Sequence, residues 1–246
     1  MFSKKEETYI EYTGHRIPFV IINELRRSVR VAFGSKAITL RLPYLMSAVK
    51  KEKQIENSKQ WAIDQLRVKP GLIHSFVAKA YSDGQVIQFG DRKYVLHVQY
   101  HDRKTNKAVL KSRLLEVHLS SDLPDDQRPG VLRHLISRSI ANDFYPQIAA
   151  RVHELNQLHF NQPIRDIKLK LSQTNWGSCS TQGTINLSAR LLFAPPVVID
   201  YVIIHELAHL LEHNHSDRYW AIVEQKMPDY QNHEKWLKQN SHLCEF

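Results

Sequence analysis

The segment HELAHLLEHNH, residues 205–215, carries four histidines (His205, His209, His213 and His215), with Glu206 directly after the first. His205 and His209 are one helical turn apart, so on an α-helix both rings leave the same face. Two imidazoles about 6 Å apart along the axis can both reach one ion at about 2.0–2.1 Å. Glu206 sits one position round, close enough to address a water on that ion. H-E-x-x-H on a helix therefore offers two metal ligands and a general base. The preceding DYVII is apolar apart from Asp200. Its helix is expected to be buried, where an unliganded histidine pair would be costly. Nitrogen donors point to a borderline metal, one zinc per chain, and not to magnesium or calcium, which favour oxygen.

A catalytic zinc usually takes three protein ligands and leaves one place for water. On a straight helix His213 lies about 12 Å along the axis from His205, out of reach of an ion held by the first pair. It reads as a surface histidine at a helix C-terminus, where a partly cationic ring is favourable. His215 is the expected third ligand, returned to the ion by a left-handed turn at Asn214. Glu224 and Glu234 are outside candidates. In such a site the metal lowers the pKa of water toward about 7 and polarises the attacked carbonyl, and Glu206 moves the proton. Trp176 could wall the cleft or pack in a turn. Cys179 reads as a buried thiol near the site, not as a nucleophile. IKLKL (167–171) or TINLS (184–188) could hold an extended peptide by β-addition.

These groups need a frame, and 246 residues can supply one large core or two modest domains. The first hundred residues read mostly as short strands: YIEY, IPFVII, SVRVAF and AITLRL, with turn signals at Gly14-His15 and Gly34-Ser35. A helix opened by Pro43 is expected next, then strands over QVIQFGDRKYVLHVQY and RLLEVHLS, with the polar loop HDRKTNKA between them. SSDLPDDQRPG marks the expected boundary between a β-rich region, 1–125, and a catalytic region, 126–246. Beyond it, Leu132, Leu135, Ile136 and Ile140 fall at helical spacing, with a kink or break expected at Pro146. IKLKL alternates as a half-buried strand, TINLS reads as its partner, and NWGSCSTQG reads as their connection. A helix over DYVIIHELAHLLEH follows. Another, over DRYWAIVEQKM, is capped by Ser216 and stopped by Pro228. The fold class expected is α+β, with a small antiparallel sheet in the helical half.

No segment reads as a signal peptide or reaches the roughly 18 apolar residues of a membrane span. The two cysteines, Cys179 and Cys244, form no CxxC pair and suit a reducing compartment, so a cytoplasmic location is expected. The net charge of +9 suits anionic partners such as nucleic acid, nucleotides or acidic peptides. The Lys and Arg are scattered along the chain, which favours the plainer alternative of a basic soluble surface.

Five pieces carry a resemblance: Trp176-Gly177-Ser178-Cys179, Asp200-Tyr201-Val202, His205-Glu206-x-x-His209, Asn214-His215-Ser216 and Pro228-x-Tyr230. Together they resemble the signature region of the YgjP-like metal-dependent hydrolases, relatives of the WLM and SprT-type zincin metallopeptidases. The resemblance implies a zincin-like catalytic half, with His205, His209 and His215 as ligands and Glu206 as base. Two departures stand out. Asn175 replaces a basic residue, which bears on specificity if that residue meets substrate. Ala208 replaces a cysteine that is no ligand. A zinc-dependent peptidase acting on peptides or proteins is the leading expectation. A metal-dependent nucleoside triphosphate pyrophosphatase is the alternative, weakened by the lack of a Gly-rich phosphate loop and of a carboxylate cluster for magnesium. A nucleic-acid-binding module with a structural zinc is the third, opposed by Glu206, which a structural site does not need.

Overall fold

The computed structural model describes residues 4–34, 37–76 and 79–246. The chain forms two compact units, Met1–Ala78 and Lys79–Phe246.

The first unit contains β1 (Lys4–Tyr12), β2 (His15–Glu24), β3 (Arg30–Phe33), β4 (Ile38–Pro43) and α1 (Ala48–Val68). Its sheet runs β1-β2-β4-β3. Thr13 and Gly14 both take positive φ, which suits the tight turn of the β1–β2 hairpin. The alternation of apolar residues puts Ile17, Phe19, Ile21, Ile38, Leu40 and Leu42 on one buried face, under Ala62 and Leu66 of α1. Pro43 does not open the helix. It ends β4, paired with Glu24, and the preference of a pre-proline residue for extended backbone keeps Leu42 in the strand.

The second unit begins with β5 (Val86–Phe89), β6 (Arg92–His101), β7 (Lys107–Lys111) and β8 (Leu114–Ser120), in the order β5-β6-β8-β7. The expected polar loop after His101 thus turns into a strand at Lys107. The long helix α2 (Arg128–His159) shares this unit's core: Ile136, Ile140 and Val152 are buried in one cluster with Tyr94, Leu96, Leu115 and Val117. The boundary expected after residue 125 therefore falls inside a common core, and the compact unit starts at Lys79. Pro146 lies inside α2 without ending it. Phe144 and Ile148 on either side are both buried in that core, which holds the helix across the missing N–H.

A third sheet contains β9 (Asp166–Lys170), β10 (Gly177–Cys179) and β11 (Thr184–Ser188), in the order β10-β11-β9. TINLS does pair with IKLKL, but in parallel, Ile185 opposite Ile167 and Leu187 opposite Leu169. The sheet is mixed, not purely antiparallel. The connection over 171–183 is long enough for a parallel return, and within it β10 pairs antiparallel with β11. The rest of the unit is α3 (Pro196–Ala208), α4 (Asp217–Lys226) and α5 (Tyr230–Asn240). Pro196 occupies the first turn of α3, where its missing N–H has no cost. Val198, Tyr201, Val202, Ile203, Ile204 and Leu207 bury almost the whole helix, as its nearly continuous apolar composition requires. Ser216 caps α4, its Oγ accepting from the Tyr219 N–H at 3.3 Å. Among the described residues, no helix is long and apolar enough to cross a membrane.

Candidate metal centre

The site forms where α3 stops. The N–H groups of Leu210 and Leu211 bond the carbonyls of Leu207 and Ala208 at 3.0 Å each, tight three-residue bonds that close the helix. The expected straight run to His213 does not occur, and the chain turns back over 209–214. Asn214 is not left-handed as expected: among the described non-glycine residues, positive φ occurs at Thr13, Ser112 and Asn161. Instead its Oδ1 accepts from the Ser216 N–H at 3.1 Å, a side-chain turn that leads into α4.

This route brings His205, His209 and His215 together, with one ring nitrogen from each lying within 4.8 Å of the others. Nε2 of His205 and Nε2 of His215 are 3.2 Å apart. His209 Nδ1 lies 3.0 Å from the Glu212 carbonyl; donating there fixes the tautomer and leaves Nε2 as a lone pair. His213 is exposed and outside the group. Glu224 is exposed on α4, and Glu234 pairs with Lys238 at 2.6 Å. Neither carboxylate joins the histidines.

Tyr219 of α4 packs against the histidines themselves. Its ring stacks on His209 at 4.5 Å and meets the His215 ring at 4.8 Å. Its hydroxyl donates to the His205 carbonyl at 2.9 Å. One fully buried side chain thus contacts all three imidazole residues.

Burial sets the charge states. It pushes His205 down to about 3, helped by repulsion from His209 and His215, so that ring stays neutral. The Nδ1 of His205 is buried without a partner. The His205 and His215 nitrogens that face one another, with the His209 lone pair nearby, form a donor set that could hold one cation. Glu206 is 4% exposed, and burial pushes its carboxyl up to about 8 against the lowering effect of the Cys179 N–H. Burial, then the charge of Glu206, raises the Cys179 thiol to about 11, which keeps it protonated and a poor nucleophile.

Gly177 has a role that sequence reading missed, because NWGSCSTQG looked like a connection. A Cβ at this position would lie 2.5 Å from Glu206 Oε1, 2.6 Å from its Cγ and 2.8 Å from its Cδ. The requirement is space: only a residue without a side chain lets β10 pass this close to Glu206. Beside it opens a cleft of about 450 Å³, lined among others by Asn175, Trp176, Tyr201, His205, Glu206 and Glu234. Trp176 both walls this cleft and packs in the core, with the Arg190 guanidinium 4.5 Å from its ring centre. Arg190, also missed, is buried. It donates to the carbonyls of Cys244, Gln173 and Ser241 at 2.8, 3.1 and 3.1 Å and pairs with Glu245 at 2.8 Å.

No curated protein matches the chain significantly. Among solved structures, the metallopeptidase zymogen abylysin of Pyrococcus abyssi is similar at 21% identity, covering 37% of this chain and 93% of that one, with a TM-score of 0.34. The metallopeptidase zymogen jannalysin of Methanocaldococcus jannaschii is similar at 22% identity, covering 37% and 94%, with a TM-score of 0.34. The YgjP-like, metallopeptidase domain family matches residues 27–240, a span that takes in the three histidines, Glu206, Gly177 and Trp176. A match over that much of the sequence settles the affiliation, and with it the class of metal-dependent hydrolase: this chain belongs to the YgjP-like, metallopeptidase domain family.

Proposed function

We propose that the chain is a zinc peptidase in which His205, His209 and His215 hold one ion and Glu206 is the general base. The observation that carries this is the convergence of three ring nitrogens within 4.8 Å beside a buried carboxylate. Three imidazoles and an open side match the donor set of a catalytic zinc. A bound zinc supplies Lewis acidity, acidifying water and polarising a carbonyl.

The chain's own residues do the rest. Glu206, facing the cleft, takes a proton from the attacking water at a carboxylate oxygen and returns it to the leaving amine. Gly177 and the Cys179 N–H fix where that carboxylate sits. Tyr219 holds the ligand rings from behind, and the His209 bond to Glu212 keeps its free lone pair forward. The central strand β11 has both edges occupied, so TINLS cannot accept a substrate strand. IKLKL and β10 are the edges, and β10 carries the glycine against Glu206. An extended peptide along β10 would bring its carbonyls past the base. The free thiols of Cys179 and Cys244 suit a reducing compartment, in keeping with a cytoplasmic enzyme.

Elemental analysis of the purified protein, paired with a screen of peptides in the presence and absence of chelator, tests the assignment. The expected result is about one zinc per chain and chelator-sensitive peptide cleavage. Protein that takes up no transition metal after zinc reconstitution would overturn it.

A further inference from the structure

The net charge of +9 is not spread evenly over the two units. Residues 1–78 contribute +7, from fourteen Lys and Arg against seven Asp and Glu; residues 79–246 contribute +2, from twenty against eighteen. The catalytic unit is close to neutral, and the first unit holds the basic surplus.

Within the first unit part of that surplus gathers on the β3–β4 face. Arg26, Arg30, Arg41, Glu24, Ala32 and Thr39 help line a groove of about 430 Å³. Arg30 and Arg41 are direct cross-strand partners in the antiparallel pair. Like charges in that relation oppose the pairing. Glu24 answers only part of the charge: one of its oxygens pairs with Arg26 at 3.0 Å and the other with Arg41 at 2.8 Å. Among the described residues Arg30 has no carboxylate within ion-pair distance. Among its described residues the groove thus sets three guanidiniums against one carboxylate, a surplus of two positive charges, with Arg30 unpaired in a register that favours an incoming anion.

The form of that anion follows from the strand. β3 lies at the end of the sheet order β1-β2-β4-β3, so its outer edge is unpaired among the described strands. Such an edge offers main-chain N–H and C=O groups at strand spacing, which a polypeptide can match. Alternate side chains of an added strand would fall on the same face as Arg30 and Ala32. A nucleic acid fits less well: among the described residues no aromatic ring lines the groove to stack a base, and Glu24 opposes a continuous run of phosphates. We propose that this face docks an extended, acidic polypeptide segment, which adds to the free edge of β3 and sets alternate carboxylates against Arg30 and its neighbours. The proposal does not depend on hydrolysis in the cleft of the second unit, and binding can be read without it.

Fluorescence anisotropy with the full chain and a labelled peptide of alternating Glu and Val tests this. The comparisons are an alternating Lys and Val peptide and a single-stranded oligodeoxynucleotide of similar length. The acidic peptide should bind best, and its binding should weaken with added salt. Arg30→Glu should weaken it by about tenfold or more, and Arg30→Gln by less. Because Arg30 opposes Arg41, both variants should melt no lower than wild type. The proposal is overturned if wild type does not bind the acidic peptide or if both variants bind it as wild type does. It is equally overturned if the Lys peptide or the oligonucleotide binds as tightly, or if both variants melt lower, which would make Arg30 structural.

Discussion

Replacing Gly177 with alanine puts a methyl group where the Glu206 side chain already lies. The new Cβ would stand 2.5, 2.6 and 2.8 Å from Oε1, Cγ and Cδ of Glu206. That is roughly 0.6–0.9 Å short of ordinary contact for these three atoms. The carboxylate end could swing away, but Cγ is tied to the backbone of the buried helix α3, so the glutamate must change rotamer or β10 must shift. Overpacking of this kind costs about 1–3 kcal/mol. Moving the base by about an ångström should lower turnover about 100-fold, while zinc should stay bound because the three atoms nearest the new Cβ all belong to Glu206 and none to a ligand histidine. Chemical denaturation of metal-free wild type, Gly177→Ala, Glu206→Ala and the double variant isolates the contact. With Glu206 cut back to Cβ the three clashing atoms are gone. The glycine substitution should then cost close to nothing, a coupling of about 1–3 kcal/mol. If Gly177→Ala costs the same in both backgrounds, the glycine is not there for Glu206 and the reasoning fails.

Other outcomes follow from the same geometry. His215→Ala should lose zinc and activity, while His213→Ala, at an exposed residue outside the group, should keep both; competition with a chelator ranks them. Tyr219→Phe keeps the ring stacked on His209 but removes the hydroxyl bond to the His205 carbonyl, so zinc affinity should fall about tenfold without loss of fold. In the metal-free protein the Glu206 carboxyl is raised from 4.5 to about 8. Its contribution to stability is full below pH 4.5 and is lost as pH rises through about 8. His205 is lowered from 6.5 to about 3, so its contribution is present above pH 6.5 and is lost as pH falls through about 3. Between pH 6.5 and 8, of these two groups only Glu206 acts. Stability should drop there by about 2 kcal/mol, and Glu206→Gln should flatten the drop in denaturation curves taken across that range.

What could be read in the sequence was local. The spacing of His205 and His209, the Ser216 cap and the alternation of IKLKL and TINLS all depend on near neighbours, and each holds in the structure. Alternation does not encode strand direction, so the parallel pairing of β9 with β11 was hidden. β10 has only three residues, too few to show a period. LLEH continues the apolar pattern of α3, so the pattern alone extends the helix; its true end is set by backbone closure and by the His209 bond to Glu212. Gly177 against Glu206 and Arg190 against Trp176 join residues far apart in the chain, and no periodicity reports such contacts. The charge looked scattered because it was read along the chain; its concentration in the first unit emerges only once the division at residue 78 is known.

The central claim, that three histidines bind the ion and Glu206 moves the proton, separates binding from chemistry in one variant. Glu206→Gln keeps the size of the side chain and removes the base. Zinc content and peptide turnover should be measured on the same preparations of wild type and variant. The account predicts equal zinc, about one per chain, with turnover reduced about 100- to 10,000-fold. Equal zinc with near-native turnover would contradict it, because the buried carboxylate would then have no part in the reaction.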